Sequence, residues 1–405
     1  MPSHASVHLP RQDSHTDWSS QPLASPGALI SRIENLLASM ISALSLGEPM
    51  SIDLLSRKSL RSLSCLDGQA RRQQISFPGK TLAEAQKFTR VLLILQLSHD
   101  ALVSGGVLTK RQIFYQYQDL FDKQKVVDDL VDDIALTLGV HRHDLNIVAS
   151  AKGLLSGCLS IRLTDGSTID TSVGDVGTPI PSLATISAVD CTGLRWILVV
   201  EKDATFRSLV SSCFYETSAA GPGLLVTAKG YPDLVTRLFL RRMHQRHAHL
   251  PILLLTDLDP DGLNIFRCYR FGTDFVAHDA AAYNPGIRWL GIKTRHVQDA
   301  AHQFNQSQRL TPSIVFKTSI SSTGCRDPIS HLTARDRKLA RHMLARITSR
   351  CPEEDAEAEQ LKLETQTMLM MNVKAEMQWL DDAGDLISWL DEKLVSEVRV
   401  RGSLP

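Results

Sequence analysis

Two stretches decide the fold: R-W-I-L-V-V-E at 195–201 and I-L-L-L-T-D-L-D-P-D-G at 252–262. Each is a short unbroken apolar run that ends on an acid, Glu201 in the first and Asp257 in the second. Between them lies a third apolar run, L-L-V-T at 224–227. Segments with helical character follow each run, at 205–216, 232–245 and 262–270. Continuous apolar strands alternating with helices predict a parallel sheet covered on both faces. In such sheets the chemistry lies beyond the carboxyl ends of the strands, and Glu201 and Asp257 occupy those ends. Asp259 and Asp261 follow at once. Four carboxylates at one sheet edge repel one another unless a cation joins them, and all-oxygen ligation suits Mg²⁺. The run D-L-D-P-D-G also has the opening spacing of an EF-hand calcium loop. That loop needs Glu at its twelfth position, and counting from Asp257 the twelfth residue is Cys268. The bland alternative is that Asp259 or Asp261 caps a helix. Two acids that both end core strands are harder to explain that way.

Upstream, L-T-K-R-Q-I-F-Y at 108–115 carries a helix start. Thr109 and Gln112 have capping-box spacing, and Leu108 and Ile113 stand where a hydrophobic staple would. On the helix so begun, Tyr117 falls on the apolar stripe of Ile113, Leu120 and Phe121 at about 100° per residue. Tyr115 falls nearly opposite, one turn after Arg111. An exposed phenol beside a cation suits attack on a phosphodiester, because its ordinary pKa near 10 calls for a neighbouring base or positive charge. By itself such a tyrosine is an ordinary surface residue. The constellation gives it weight. A helix over 81–99 precedes it, and a helix over 125–138, closed by Gly139, follows. After these, S-I-R-L-T-D-G-S-T-I-D-T at 160–171 predicts a hairpin turning at Asp165-Gly166. Helices followed by a hairpin are the profile of a winged helix-turn-helix. The expected fold class is therefore α/β multidomain, a winged-helix domain followed by a parallel sheet flanked by helices.

The whole composition agrees with a folded multidomain protein. The chain has 405 residues, 43% hydrophobic and 22% charged, a length that predicts two to three domains at about 150 residues each. Lys plus Arg and Asp plus Glu stand at 44 each, for a net charge of zero. Any nucleic-acid contact then rests on local patches, such as the basic clusters at 237–246 and 335–350, which are equally solvated helix faces. Seven cysteines without a C-x-x-C argue against a structural zinc site and a disulfide framework. Unbroken apolar runs such as Val91–Leu95 are far shorter than the roughly 18 residues that span a bilayer, so no membrane is expected, and residues 1–10 lack the pattern of a secretory signal. The predicted organisation is a disordered tail over 1–26, an N-terminal helical region over 27–80, a winged-helix domain over 81–178 and a metal-binding domain over 183–400 with C-terminal helices. The helix over 28–46 either packs on its own domain or docks a partner.

Taken in order, K-R-Q-I-F-Y, V-V-D-D-L-V-D-D-I, L-N-I-V-A-S-A-K-G-L, L-V-V-E-K-D-A-T-F, T-A-K-G-Y-P-D-L-V-T-R, T-D-L-D-P-D-G and I-R-W-L-G resemble the topoisomerase VI A-subunit family, and within it the meiotic recombination transesterases. The resemblance covers roughly residues 85–290, and L-T-A-R-D-R-K-L at 332–339 extends it. It implies a winged-helix domain carrying a nucleophilic Tyr115 with Arg111 before it, and a Toprim domain in which Glu201, Asp257 and Asp259 hold Mg²⁺. It implies DNA contacts at Lys152, Lys229 and Tyr231, with double-stranded DNA as substrate. The implied partners are meiotic accessory proteins and a topoisomerase VI B-like subunit. The implied active form is a homodimer, and the implied location is the nucleus. The implied reaction is meiotic double-strand-break formation through a 5′-phosphotyrosyl link. The alternatives are a non-catalytic DNA-binding scaffold and a strand-passing topoisomerase subunit. A Toprim nuclease or primase would keep the acids without needing Tyr115. Asp261 departs from the pattern, since relatives often have His or Tyr there. The segment 295–330 is longer than the pattern leads one to expect, and the first 80 residues match only loosely.

Overall fold

The computed structural model describes residues 25–56, 72–140, 144–148, 152–272, 284–297, 329–351, 355–377 and 386–402. The expected tail, up to residue 24, and most of the 295–330 segment lie outside the described residues. The chain divides into two compact units, which part between Lys152 and Gly153.

The first unit is built on helices. α1 (Pro26–Ser45) is capped by Ser25 and buries Leu29, Ile33 and Met40. It is long and apolar enough to cross a bilayer by composition, yet this buried stripe belongs to a core shared with Phe88, Val91 and Ile134. Arg32 also donates to Leu138 O at 2.7 Å. Ile41, Leu44 and Leu46 stay in solvent. The sequence predicts a helical region over 27–80, but the described residues there are not helical throughout. After α1 it holds an antiparallel pair, β1 (Met50–Leu55) and β2 (Arg72–Phe77). β1 buries Ile52 and Leu54 and β2 only Ile75, a pattern too short to stand out in the sequence. α2 (Leu82–Ser104) begins at the Thr81 cap and ends at Gly105 in the left-handed region. β3 (Leu108–Thr109) pairs with β4 (Ile147–Val148). Between these strands lie α3 (Lys110–Gln116) and α4 (Gln124–Leu138), the latter closed by Gly139 at φ 65°.

The second unit is the α/β part. Its strands are β5 (Leu154–Gly157), β6 (Ser160–Leu163), β7 (Thr168–Asp170), β8 (Thr178–Pro179), β9 (Ile186–Asp190), β10 (Trp196–Val200), β11 (Gly223–Thr227), β12 (Ile252–Leu255) and β13 (Ile287–Trp289). The main sheet has the order β13-β12-β10-β11-β5-β8. The strands β12, β10 and β11 run parallel, as the three apolar runs predict, and β13 joins them in parallel, while β5 pairs antiparallel with β11 and β8 antiparallel with β5. The central strands β10, β11 and β12 are buried at every position, the signature of a sheet covered on both faces. α5 (Asp203–Ser211), α6 (Phe214–Thr217), α7 (Leu234–Arg246) and α8 (Pro260–Phe271) follow these strands. The hairpin at 160–171 forms, as β6 and β7, but β6 also pairs with β9. Residues 153–190 thus belong to the α/β unit, not to the helices before them. A boundary near 178 is therefore displaced to 152, because the partners of these strands lie downstream. β14 (Ile329–His331) and β15 (Val373–Ala375) pair antiparallel. α9 (Ala334–Arg350), α10 (Ala356–Met371) and α11 (Leu386–Gly402) complete the described chain.

Candidate active site and metal centre

In the helical unit, α3 starts where the local code demands. Thr109 Oγ1 accepts from Gln112 N–H at 3.1 Å, and Gln112 Oε1 accepts from Thr109 N–H at 2.8 Å. Ile113 is buried beneath this turn. Lys110 is buried too, with its Nζ 3.0 Å from Asp132 Oδ1 on α4. These contacts fix the rotation of a helix only seven residues long. The consequence is that Arg111 is exposed and Tyr115 is 59% exposed, with its ring 5.6 Å from that of Phe114. Tyr117 is half-buried against the core, as expected, but α3 ends at Gln116, so Tyr117 packs from the helix C-cap and not from a helical stripe shared with Leu120 and Phe121.

In the α/β unit, β10 and β12 are adjacent and parallel, so Glu201 and Asp257 leave the sheet side by side. Asp257 N–H donates to Glu201 Oε2 at 3.0 Å, and Glu201 N–H donates to Leu255 O at 3.1 Å. Asp257 is only 4% exposed. Its Oδ1 accepts from Met377 N–H at 2.7 Å, and its Oδ2 lies 2.8 Å from Lys202 Nζ. Asp259 Oδ1 accepts from Gly262 N–H at 2.6 Å, which caps α8. Burial, with repulsion from Asp257, pushes the Glu201 carboxyl up to about 8. Burial, against the Gly262 N–H and with Asp257 and Asp261 adding repulsion, pushes Asp259 up to about 6. Burial also pushes Asp257 up, against the pull of Lys202. Burial works to lower Lys202, but Asp257 and Glu376 hold it above its ordinary value.

Among the described residues no three His, Cys, Asp or Glu side chains converge as a ready-made metal cluster. The donor chemistry nevertheless fits a hard divalent cation. Glu201, Asp257 and Asp259 are oxygen donors crowded at one sheet edge, and their own charges are disfavoured there. Asp261 is committed elsewhere. Its Oδ1 accepts from the Tyr231 hydroxyl at 2.7 Å, and its Oδ2 lies 3.6 Å from Arg335. Asn264 Nδ2 donates in turn to the Tyr231 oxygen at 2.9 Å. Burial, opposed by Asn264 and reinforced by Asp261, raises the Tyr231 phenol well above its usual value.

The residues expected at DNA lie apart in sequence and differ in setting. Lys152 is exposed at the end of the helical unit. Lys229 is exposed in the left-handed region at φ 56°, with its Nζ 3.6 Å from Asp203 Oδ1. Tyr231 is 40% exposed. Of the two basic clusters, the one at 237–246 is not a continuous surface face. Arg237 is 2% exposed, and Arg242 donates to Leu183 O at 3.1 Å. On α9, by contrast, Arg335, Arg337, Lys338 and Arg341 are all exposed. Sequence reasoning missed Glu376 and the Met377 N–H at the centre. They lie far along the chain from Asp257, and no local pattern connects them. Lys202 sits inside the L-V-V-E-K-D run and was legible only as its neighbour's context.

A strand-end pair of acids on a mostly parallel sheet, followed by an acid that caps the next helix, is the arrangement of a Toprim domain, and comparison with known proteins agrees. Residues 196–394 match the Toprim-domain family shared by Spo11 and the A subunit of topoisomerase 6, and residues 86–147 match the type IIB DNA topoisomerase family. The chain is 32% identical to the human meiotic recombination protein SPO11, over 67% of this chain and 69% of that protein. It is 36% identical to the meiotic recombination protein rec12 of Schizosaccharomyces pombe, over 56% of this chain and 62% of that protein. It is 35% identical to the A3 subunit of DNA topoisomerase 6 from Oryza sativa subsp. indica, over 77% of this chain and 64% of that protein. The chain belongs to the topoisomerase VI A-subunit/Spo11 family.

Proposed function

We propose that this protein breaks double-stranded DNA by transesterification and thereby initiates meiotic recombination. The observation that carries the reading is the pairing, in one chain, of an exposed tyrosine on a capped helix with acids that end adjacent buried strands. Family membership and the meiotic relatives support it.

In this reading the Tyr115 oxygen attacks a backbone phosphorus as the phenol proton departs. The bond from phosphorus to the deoxyribose 3′ oxygen breaks, and that oxygen takes up a proton. The products are a 5′-phosphotyrosyl link and a free 3′ hydroxyl. No water is consumed, so the step is reversible until the protein is removed. Arg111, one turn before Tyr115 on α3, offsets charge on the phosphate. Glu201, Asp257 and Asp259 would hold the Mg²⁺, which when bound supplies charge stabilisation at the leaving oxygen. The exposed residues Lys152, Lys229 and Tyr231 and the basic face of α9 contact the duplex. The working unit is a homodimer, whose two tyrosines make two staggered cuts. It acts in the nucleus with meiotic accessory proteins and a topoisomerase VI B-like subunit.

The test is recovery of DNA bound covalently to the protein from meiotic cells lysed under denaturing conditions. Wild-type protein is expected to carry 5′ ends. Tyr115→Phe is expected to carry none, and Glu201→Gln at least about a hundredfold fewer. Adducts that persist in Tyr115→Phe would sink the assignment of the nucleophile. The match to the A3 subunit of the plant topoisomerase 6, over 77% of the chain, favours one second reading, strand passage with an ATPase partner. Decatenation of linked circles in the presence of a B subunit would identify it.

A further inference from the structure

The segment after β15 brings a fourth acid to the edge of the metal centre. Leu258 N–H donates to Ala375 O at 2.9 Å, and Ala375 N–H donates to Leu258 O at 3.0 Å. Met377 N–H then donates to Asp257 Oδ1 at 2.7 Å. Glu376 lies between these two anchors, so its backbone is held against the 257–258 loop on both sides. Its Oε2 is 3.1 Å from Lys202 Nζ, and the same ammonium is 2.8 Å from Asp257 Oδ2. One cation is therefore shared by an inner acid whose side chain is 6% exposed and an outer acid whose side chain is 50% exposed.

This sharing has a direct consequence for metal entry. Both oxygens of Asp257 are engaged, Oδ1 by the Met377 N–H and Oδ2 by Lys202. A divalent ion that reaches Oδ2 has to displace the ammonium, because two cations at one oxygen repel. Lysine is a point charge on a flexible four-carbon stem, and Glu376 already holds it from the solvent side.

We propose that Lys202 is a placeholder cation on Asp257, and that Glu376 retains it when a divalent metal binds, setting the metal affinity of the centre from outside the ligand set. The proposal rests on the reading of Glu201, Asp257 and Asp259 as the metal centre. Glu376 acts through Lys202 and is a positioning residue.

The experiment is calorimetric titration of the full-length, DNA-free protein with Mg²⁺ and Mn²⁺, with thermal melting of each variant in parallel. Glu376→Gln is expected to weaken binding roughly two- to fivefold, the worth of a half-exposed ion pair. Lys202→Met is expected to tighten binding and to lower the melting temperature in the absence of metal, with the loss recovered when metal is added. In the Lys202→Met background, Glu376→Gln should have no further effect. Lys202→Arg keeps the cation and should keep the dependence on Glu376. The proposal is overturned if Glu376→Gln titrates like wild type. It is equally overturned if its effect persists in full in the Lys202→Met background, since Glu376 would then act on the metal by its own charge. Wild-type protein that binds no metal, and melts identically with and without it, overturns the metal centre itself and the proposal with it.

Discussion

Glu201 carries its proton to about pH 8 in the metal-free protein, because it is buried beside Asp257 and Asp259. Unfolded, the same carboxyl ionises near 4.5. The folded state therefore binds more protons than the unfolded state across this window, and stability falls as pH rises through it. The stabilisation from the protonated form is whole below about pH 4.5 and gone above about pH 8, with a slope of at most about 1.4 kcal/mol per pH unit from this group. Asp259, pushed up to about 6, adds to the slope over the lower part of the range. Thermal melting in chelator between pH 5 and 9 should show this decline, and Glu201→Gln should flatten it. Mg²⁺ should restore stability at the alkaline end, because it needs both carboxylates ionised. A decline of equal slope in Glu201→Gln would place its cause elsewhere. The same chemistry separates Asp261 from its neighbours. With its oxygens on Tyr231 and Arg335, it organises the rim and does not join the crowded acids, which gives its departure from the family pattern a structural meaning.

The elements that carry these residues were legible to different degrees, and the difference follows from how local their causes are. α3 begins at Thr109 because a reciprocal cap satisfies two backbone N–H groups within four residues, and the sequence shows all of it. Thr109→Ala should therefore cost about 1 kcal/mol and reduce adduct formation more than this loss of stability explains, since the cap sets where α3 starts and so where Tyr115 points. Adduct yield compared with the melting temperature would check this, and a variant with lower stability but unchanged yield at low temperature would refute it. The buried strands β10 and β12 are likewise visible as apolar runs that each end on an acid. Gly262 shows a constraint that the sequence contains but does not explain. A Cβ there would stand 2.5 Å from Asp257 O, so α8 approaches the 257–259 loop closely only because the residue is glycine. Gly262→Ala should push the loop away, destabilise the protein by about 1–3 kcal/mol and weaken Mg²⁺ binding in the same titration. What stayed illegible depends on distant partners. The β1–β2 pair mixes polar and apolar residues with only alternate positions buried, the hairpin at 160–171 takes its third strand from 186–190, and Glu376 reaches Lys202 across 174 residues.

Tyr115 lies in the helical unit, and Glu201, Asp257 and Asp259 lie in the α/β unit. We propose that each complete site of the dimer takes its tyrosine from one protomer and its acids from the other. This arrangement can be told from a site completed within a single chain by mixing two inactive variants with different tags. Tyr115→Phe keeps the acids, and Glu201→Gln keeps the tyrosine. A mixed dimer built across protomers has one site with both halves intact and one with neither. It should therefore nick one strand, and the DNA should be attached only to the Glu201→Gln chain, the one that still has its phenol. If sites were completed within a chain, every site in the mixture would lack one half, and adducts would not rise above the residual level of Glu201→Gln alone. Attachment to the Tyr115→Phe chain would contradict both arrangements and return the search to another nucleophile. Nicks rather than double-strand breaks also have a physical reason. A dimer with two-fold symmetry makes its two cuts at two equivalent sites, so a protein with one repaired site should stop at one.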